Sequence, residues 1–424
     1  MPNSSSVRAV VDAADPGVAD AAGLRVLRPR RAAPDHVVRP TRAEVDLTAL
    51  RHNLRQLQRA AGSSKVWGVL KADGYGHGAP AVARTLERAG IDGLAVALLE
   101  EAIELRDAGL RAPVLVMGGY YGDVYEELLA HDLVPVVYHA GHLQALSRAS
   151  RTRGLESGRI RVHLKIDTGM ARLGVRPSEL ASLLEAFASF PQIVIDGVMT
   201  HLACAEDGAD ESVAAQLVRF DAAVAQVRAA GHSPRWLHAA NSAALLRAVR
   251  SPEGPDARFT AVRPGIALFG GAGAEPLDLR PTLRLRSEVV DVRTIAVGEG
   301  VGYGHTFRAT RPTTLATVPL GYADGLPRVL SNGFSLLLRG RRAPIVGAVS
   351  MDLVTLDVTD LPGVRIRDEV VALGASSVDA SRSPRTTDRP IDTITVDEIA
   401  RASGLIPWDV MTSISRRVPR FYRT

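Results

Sequence analysis

The sequence predicts an α/β protein in which a (β/α)8 barrel precedes a mainly β domain. Eight short apolar runs between residues 66 and 270 alternate with stretches whose apolar residues recur at three and four positions, and this alternation is typical of a parallel sheet covered by helices. After Gly271 the helical period almost disappears until DEIARASG near the end. A chain of 424 residues allows about two domains. We therefore predict a flexible tail over residues 1–40, the barrel over 41–275 and the β domain over 276–424.

The predicted barrel strands are, in order, VWGVL from Val66, GLAVAL from Gly93, PVLVMG from Pro113, LVPVVY from Leu133, RIRVHLKID from Arg159, IVIDGVMTHL from Ile193, RWLHAAN from Arg235 and FTAVRPGIALFG from Phe259. Segments such as GAPAVARTLERAG and LEEAIELRDAG have the helical period and close on glycine. Eight such units fit a closed barrel, and an open doubly wound sheet is the alternative. The segment from Thr41 to Gly62 offers a further strand and helix, and that strand can join either domain.

The β domain is predicted from strand-length, valine-rich pieces broken by Gly, Pro and Asp, namely RLRSEVVDVRTIAVGEG, TTLATVPLGYADG, FSLLLRGRRAPIVGAVSMDLVTLDV and DEVVALG.

Composition excludes several classes of protein. The formal net charge is +5 and the arginines are scattered among acids, so we expect no nucleic-acid partner. The single cysteine, Cys204, rules out an internal disulfide and a cysteine zinc cluster, and we predict no metal site. We regard Cys204 and Asp207 as structural. No apolar run is long enough to cross a bilayer and the start of the chain lacks a secretion signal, so we expect a cytoplasmic protein without membrane contact.

Lys71 is the first candidate for chemistry. The 51 Lys and Arg residues include only three lysines, Lys65, Lys71 and Lys165, and a lysine amine can lose its proton and attack a carbonyl, which arginine cannot. Lys71 follows the first predicted barrel strand, at the end where barrel enzymes have their active sites. Partial shielding there would lower the pKa of the amine and favour a Schiff base, whereas the alternative is an exposed lysine in a salt bridge. The glycines of GYGHG do not have the spacing of a dinucleotide loop.

The last two predicted barrel strands lead into segments suited to phosphate. The seventh runs into NSAA, where Ser242 can cap the next helix, and the eighth runs into RPGIALFG. In barrels these two loops bind phosphate most often, through backbone N–H groups and a helix N-terminus. A Schiff-base lysine and a phosphate site at one barrel mouth suggest pyridoxal 5'-phosphate, which has both an aldehyde and a phosphate.

A series of motifs resembles those of alanine racemases, in their usual order: KADGYGHGA, KIDTGMARLG, THLACAED, HAANSAA, VRPGIALFG, VGYGHTF, PLGYADG and SMD. The resemblance extends from about Arg42 to the C-terminus. It implies an N-terminal barrel that binds pyridoxal 5'-phosphate, a C-terminal β domain and a homodimer with shared active sites. It also implies interconversion of L- and D-alanine, which supplies D-alanine for cell-wall peptidoglycan.

The resemblance further implies roles for individual residues. Lys71 matches the Schiff-base lysine and one catalytic base, and Tyr303 matches the second base, which the dimer delivers to the partner's barrel. The other matches are Tyr75, Ser242, Gly265 and Ile266 at the phosphate, His201 beside the cofactor ring, Arg263 at the pyridine nitrogen with His238 behind it, Arg172 at the cofactor oxygen and substrate carboxylate, and Tyr322 and Met351 at the substrate pocket.

These roles have a physical rationale. Racemisation removes a proton from one face of Cα and returns one to the other face, which suits two bases on opposite faces. A tyrosine base needs a nearby cation or donor. His201 is a candidate for that neighbour, and the alternative is a core histidine at a strand end. Arg263 cannot readily protonate a pyridine nitrogen, so the ring stays a weaker electron sink and transamination is limited.

Lys165 and Arg172 would repel each other as two cations. The family resolves this by carbamylating the equivalent lysine, which makes it an anion that can hold the arginine, so we predict an N-carboxylysine at Lys165. The chain departs from the family near its C-terminus, where Arg416 replaces a tyrosine that reaches the phosphate in well-known members. An arginine at this position can still pair with a phosphate.

Three alternative functions remain open. The first is a racemase of serine or another small amino acid, because pocket size depends on side chains that the sequence does not place. An amino-acid decarboxylase of the same barrel class usually has a different glycine-rich phosphate motif. A non-catalytic regulatory protein that binds the cofactor would have no second domain, and VGYGHTF, PLGYADG and SMD argue against it.

Overall fold

The computed structural model describes residues 38–118, 125–153, 160–206, 211–251, 256, 258–271, 277–376 and 392–424. The predicted flexible tail lies outside these residues except for positions 38–40, and Asp207 lies outside them as well. Arg39–Thr424 form one unit. Among the described residues, none of the helices combines the length and apolar character needed to cross a membrane.

The chain begins its described structure with strand β1 (Arg42–Asp46), and eight parallel strands then form the barrel. These are β2 Lys65–Val69, β3 Gly93–Val96, β4 Val114–Val116, β5 Val134–Val137, β6 Ile160–Lys165, β7 Ile193–Met199, β8 Trp236–His238 and β9 Ala261–Val262. Their order around the sheet is β8-β7-β6-β5-β4-β3-β2-β9. All eight predicted barrel strands are therefore confirmed.

The strands β8 and β9 stand at the two ends of this strand order. Hydrogen bonds between their segments close most of the gap that separates them and so nearly complete the barrel. The backbone N–H of Thr260 donates to the carbonyl of Leu237 at 2.9 Å, and the N–H of Arg263 donates to the carbonyl of Ala240 at 2.9 Å. The first bond joins β8 to the residue before β9, and the second joins residues that lie beyond the ends of both strands. The open doubly wound sheet is therefore wrong.

Helices alternate with the barrel strands, as the apolar periodicity predicts. They are Leu47–Ala60, Ala79–Arg88, Leu99–Asp107, Tyr125–Ala130, Ala140–Thr152, Leu180–Ala188, Ser212–Ala229 and Ser242–Arg250. The first helix starts at Asp46, whose carboxylate accepts from the backbone N–H groups of Thr48 and Ala49 at 2.8 Å. Such side-chain acceptors satisfy N–H groups that have no partner within the helix.

The C-terminal part is mainly β. Its strands are β10 Leu283–Glu288, β11 Asp291–Ile295, β12 Gly300–Val301, β13 Phe307–Arg308, β14 Thr313–Val318, β15 Ser335–Leu338, β16 Arg341–Pro344, β17 Val354–Asp357, β18 Glu369–Ala375, β19 Thr393–Ile394 and β20 Arg420–Arg423. Two further helices, Val396–Ser403 and Pro407–Thr412, precede the last strand. β1 pairs antiparallel with β10 and parallel with β20, so the strand that could have joined either domain lies in the C-terminal sheet.

The chain leaves β2 through a turn of left-handed backbone, Lys71–Tyr75. The φ angles of Ala72, Asp73, Gly74 and Tyr75 are 54°, 55°, 62° and 53°, and Gly76 follows at 79°. Non-glycine residues in this region cost free energy and persist only where the surroundings hold them. Several contacts hold this turn; among them, the N–H of Ala79 donates to the Asp73 carboxylate at 2.8 Å, and Arg420 Nε donates to the Gly76 carbonyl at 3.0 Å.

We expect Gly76→Ala to destabilise the protein by more than the roughly 1–2 kcal/mol that left-handed backbone costs an alanine, because the new Cβ would lie 2.4 Å from the carbonyl oxygen of Met411. Gly90→Ala is the matched control, since Gly90 has φ of 83° and open space around its Cα. Urea unfolding of both variants isolates the packing contribution. Equal losses of unfolding free energy would contradict the tight contact between turn and C-terminal helix.

Candidate active site

A cavity of about 1130 Å³ opens at the C-terminal ends of the barrel strands. Many of the predicted site residues line it: Lys71, Tyr75, Lys165, Arg172, His201, Ser242, Arg263, Gly265 and Ile266. They come from the C-terminal ends of β2, β6, β7, β8 and β9 or from the segments that follow these strands, so the parallel strands bring together residues that are far apart in sequence. The C-terminal helix adds Trp408 and Thr412 to the wall.

The Lys71 amine stands at the mouth of this cavity. The cavity wall desolvates the amine and the charge of Arg172 acts in the same direction, so the pKa of Lys71 is lowered, while Glu101 opposes the shift. A lowered pKa increases the neutral, nucleophilic fraction of an amine. Glu101, which was not among the predicted site residues, accepts from the N–H of Ala72 at 2.6 Å and the N–H of Leu98 at 3.1 Å. Glu101 is the third residue of the helix Leu99–Asp107, and a glutamate at that position often accepts from backbone N–H groups at the start of its helix. That position in the sequence could have indicated its role.

Ser242, Gly265 and Tyr75 form one end of the cavity. The Ser242 hydroxyl accepts from the N–H of Gly265 at 2.9 Å, and a Cβ at position 265 would lie 2.3 Å from the Tyr75 hydroxyl. Burial raises the pKa of Tyr75, so its phenol keeps its proton and can donate. Ser242 does not cap the next helix as predicted, because the side chain of Asn241 accepts from the N–H of Ala244 at 3.0 Å. Hydroxyls and backbone N–H groups are the donors that a phosphate needs, so these residues fit one.

The Arg263 guanidinium lies at the cavity floor and is 3% exposed. Nη1 donates to His238 Nδ1 at 2.6 Å and to the His238 carbonyl at 2.9 Å. Nη2 donates to the carbonyls of Thr200 at 2.7 Å and Ala239 at 3.3 Å. Burial lowers the pKa of Arg263 to about 10, so it stays charged at neutral pH. These four hydrogen bonds all use Nη1 and Nη2, and an Nε–H is a donor suited to a heteroaromatic nitrogen as acceptor.

Positive charge dominates the middle of the cavity. Burial, followed by the charges of Arg172 and Arg263, lowers the pKa of Lys165 to about 8. Burial lowers the pKa of His201 to about 3, and Arg263, Arg172, Lys165 and Lys71 all contribute in the same direction. His201 is therefore neutral, so it can offer a neighbouring group a hydrogen bond but no positive charge. A cavity with this charge attracts anionic groups.

Gln216 is a second residue that the sequence analysis missed. Its side chain donates to the His201 carbonyl at 3.0 Å and to the Thr168 hydroxyl at 3.2 Å, and accepts from the N–H of Ala203 at 2.9 Å. It thereby joins the loop after β6 to the loop after β7. Gln216 lies in a helix far along the chain from Thr168, so no local pattern could indicate this bond.

Three predicted site residues lie elsewhere. Tyr303, Tyr322 and Met351 are 76%, 42% and 51% exposed in the β domain, and they do not line this chain's cavity. Tyr303 occupies a turn between β12 and β13. Tyr322 and Met351 are neighbours, because the N–H of Ala323 donates to the Met351 carbonyl at 3.1 Å. Arg416 is exposed and does not line the cavity either.

Comparison with known families identifies both domains. The N-terminal domain of alanine racemases matches residues 45–273, and the C-terminal domain of alanine racemases matches residues 282–422. The chain belongs to the alanine racemase family. An alanine racemase from Sorangium cellulosum is 57% identical over 398 residues, which cover 91% of this chain and 100% of that protein.

Solved alanine racemase structures share the fold. The alanine racemase from Bacillus anthracis with bound L-Ala-P has a TM-score of 0.80 and 32% identity, covering 92% of this chain and 96% of that one. The alanine racemase from Bartonella henselae with covalently bound pyridoxal phosphate has a TM-score of 0.76 and 29% identity, covering 91% of this chain and 99% of that one. The predicted barrel and β domain are therefore the fold of this family.

Proposed function

We propose that this chain interconverts L-alanine and D-alanine with pyridoxal 5'-phosphate as cofactor. One observation carries the proposal beyond family membership: an amine with a lowered pKa and a set of phosphate donors line the same cavity. The family relationship supplies the reaction and the cavity supplies residues suited to it. A cytoplasmic location and a role in supplying peptidoglycan remain predictions from the sequence.

Different residues would bind different parts of the cofactor. Lys71 would hold it covalently, and the hydroxyls of Tyr75 and Ser242 with the backbone of Gly265 and Ile266 would bind the phosphate. The Arg263 Nε–H would donate to the ring nitrogen, and His201 would lie beside the ring. When bound, the cofactor supplies an electron sink that acidifies the Cα–H of the amino acid.

The chain's own groups would then move the proton. Lys71 would remove or return it on one face of Cα, and Tyr303 of a second copy would do so on the other face. Arg172 would bind the substrate carboxylate, and its place in a positive cavity supports this role. Arg263 has no proton that it readily gives up, so it would leave the ring a weak electron sink and keep transamination slow.

A homodimer with shared active sites follows from this assignment. Tyr303, Tyr322 and Met351 are exposed and do not line the cavity that contains Lys71 of the same chain. Their exposure supports a role in completing the site of another molecule. A two-fold dimer would complete both sites with one interface.

We expect Lys165 to carry a carboxylate in the active protein, formed when its neutral amine attacks CO₂ and releases one proton. Because its pKa is about 8, occupancy should rise as pH rises through 8, whereas an ordinary lysine amine reaches neutrality only near pH 10.5. The product anion would also relieve the repulsion from Arg172. Labelled CO₂ and carbon NMR measure occupancy against pH.

Lys65, an exposed lysine paired with Asp92 at 3.1 Å, is the internal control and should stay unmodified. Unmodified Lys165 in fully active protein across this pH range would contradict the assignment.

Incubation with each L-amino acid in deuterated water, followed by chiral analysis, tests the function and its breadth. We expect D-alanine with deuterium at Cα. Serine turning over as fast as alanine would identify a broader racemase. Loss of CO₂ would indicate a decarboxylase, and no exchange with a bound cofactor would indicate a non-catalytic protein.

A further inference from the structure

A row of buried polar rings extends from the cavity floor into the barrel. Arg263 Nη1 lies 2.6 Å from His238 Nδ1, and His238 Nε2 lies 2.9 Å from His163 Nδ1. His163 is on β6 and is 1% exposed, as is His238. The row therefore joins a residue that faces the cofactor site to one in the middle of the barrel.

The hydrogen atoms of this row can be assigned, because a guanidinium only donates. His238 Nδ1 must accept from Arg263, so the hydrogen of a neutral His238 is on Nε2. That N–H donates to His163 Nδ1, which places the hydrogen of a neutral His163 on its own Nε2. Burial and the charge of Arg263 keep both rings neutral, with the pKa of His163 lowered to about 3 and that of His238 well below its usual value.

The row ends at two donors. His163 Nε2 and Trp67 Nε1 are buried, and neither has a hydrogen-bond partner among the described residues. Their rings are neighbours, with centroids 5.5 Å apart. Strand glycines make room for both, since a Cβ at Gly93 or Gly197 would lie 2.7 Å from the Trp67 or His163 ring. Buried donors in proteins are nearly always paired, often with an ordered water.

We propose that His163 is a positioning residue that orients Arg263 through His238, and that His163 Nε2–H and Trp67 Nε1–H bind one buried water molecule. The water oxygen accepts a hydrogen bond from each of these two N–H groups, so the row ends at an acceptor. Every hydrogen bond then runs in one direction, away from Arg263. The guanidinium cannot rotate without breaking the row, so the orientation of its Nε–H is fixed as well. The significance for the cofactor rests on the proposed function, whereas the hydrogen-bond assignment does not.

The water and the tautomers can be observed directly. In a crystal structure of the whole protein, we expect a water oxygen within hydrogen-bond distance of both nitrogens. Empty space there, or separate partners for the two nitrogens, would overturn the water site. Nitrogen NMR of histidine-labelled protein should show hydrogen on Nε2 and none on Nδ1 of both rings from about pH 6 to about pH 9. Hydrogen on either Nδ1 would overturn the row.

Substitutions test the positioning role in the holoenzyme. His163→Leu removes the acceptor, whereas His163→Asn keeps an oxygen near the position of Nδ1. Val162→Ala is the matched control for a loss of packing on the same strand, because Val162 is buried on the opposite face of β6. The readouts are the visible absorption of the bound cofactor, its dissociation constant, and kcat with KM.

We expect His163→Leu to shift the absorption band and to weaken cofactor binding or kcat by about 10-fold to 100-fold, the range known for residues that orient metal ligands. His163→Asn should recover most of that loss, and Val162→Ala should leave the band unchanged. If the leucine and asparagine variants behave alike, or if neither differs from Val162→Ala, His163 has no positioning role. A wild-type protein without any cofactor band would instead refute the proposed function, and the water and tautomer results would stand independently.

Discussion

Replacing Lys71 by arginine is expected to abolish covalent attachment of the cofactor and to reduce racemisation by at least the roughly 10² to 10⁴ that a positioned acid–base group contributes. Arginine keeps the positive charge at the cavity mouth but cannot attack an aldehyde. The variant therefore separates the chemistry of the amine from its charge. Borohydride reduction followed by peptide mapping should place a pyridoxyl group on Lys71 in the wild type and on no residue in the variant.

Lys65→Arg is the matched control. Lys65 begins the strand that Lys71 follows, its side chain is exposed, and it pairs with Asp92. Its replacement should leave labelling and activity unchanged. A pyridoxyl group on Lys65 or Lys165, or an active Lys71→Arg protein, would show that the covalent site is elsewhere.

The barrel was predictable because each strand is a local pattern. Short apolar runs and amphipathic helices are set by neighbouring residues, and parallel pairing of successive strands follows with little choice. The position of β1 was not predictable, because it depends on pairing with β10 and with β20 at the far end of the chain. No local pattern encodes a partner so distant in sequence.

The site was predictable to the same extent. Lys71 and the segment around Gly265 could be placed because they end strands, and strand ends meet at one face of a barrel. Gln216 and His163 make hydrogen bonds across the fold, which a linear sequence does not contain. The low pKa of His201 likewise arises from burial and several cations that only the fold assembles.

Tyr303→Phe should lower racemisation by about 10² to 10⁴ while Lys71 continues to exchange the Cα hydrogen of D-alanine. The phenylalanine ring keeps the shape of the tyrosine but loses the hydroxyl that would take or give a proton on the second face. Measuring deuterium entry into D-alanine beside racemisation separates the two half-reactions. Undiminished racemisation would remove Tyr303 from the mechanism, and loss of both reactions would point to a folding or assembly defect.

Mixed dimers of Lys71→Arg and Tyr303→Phe chains provide the decisive form of this test. If each site combines Lys71 of one chain with Tyr303 of the other, one site of a mixed dimer carries both substitutions and the other carries neither. Purified mixed dimers with two different tags should then regain about half of the wild-type activity, as two-fold symmetry requires. If both residues act within one chain, every site carries one substitution and no activity returns. Because Tyr303 is 76% exposed and absent from its own chain's cavity wall, we expect the first result.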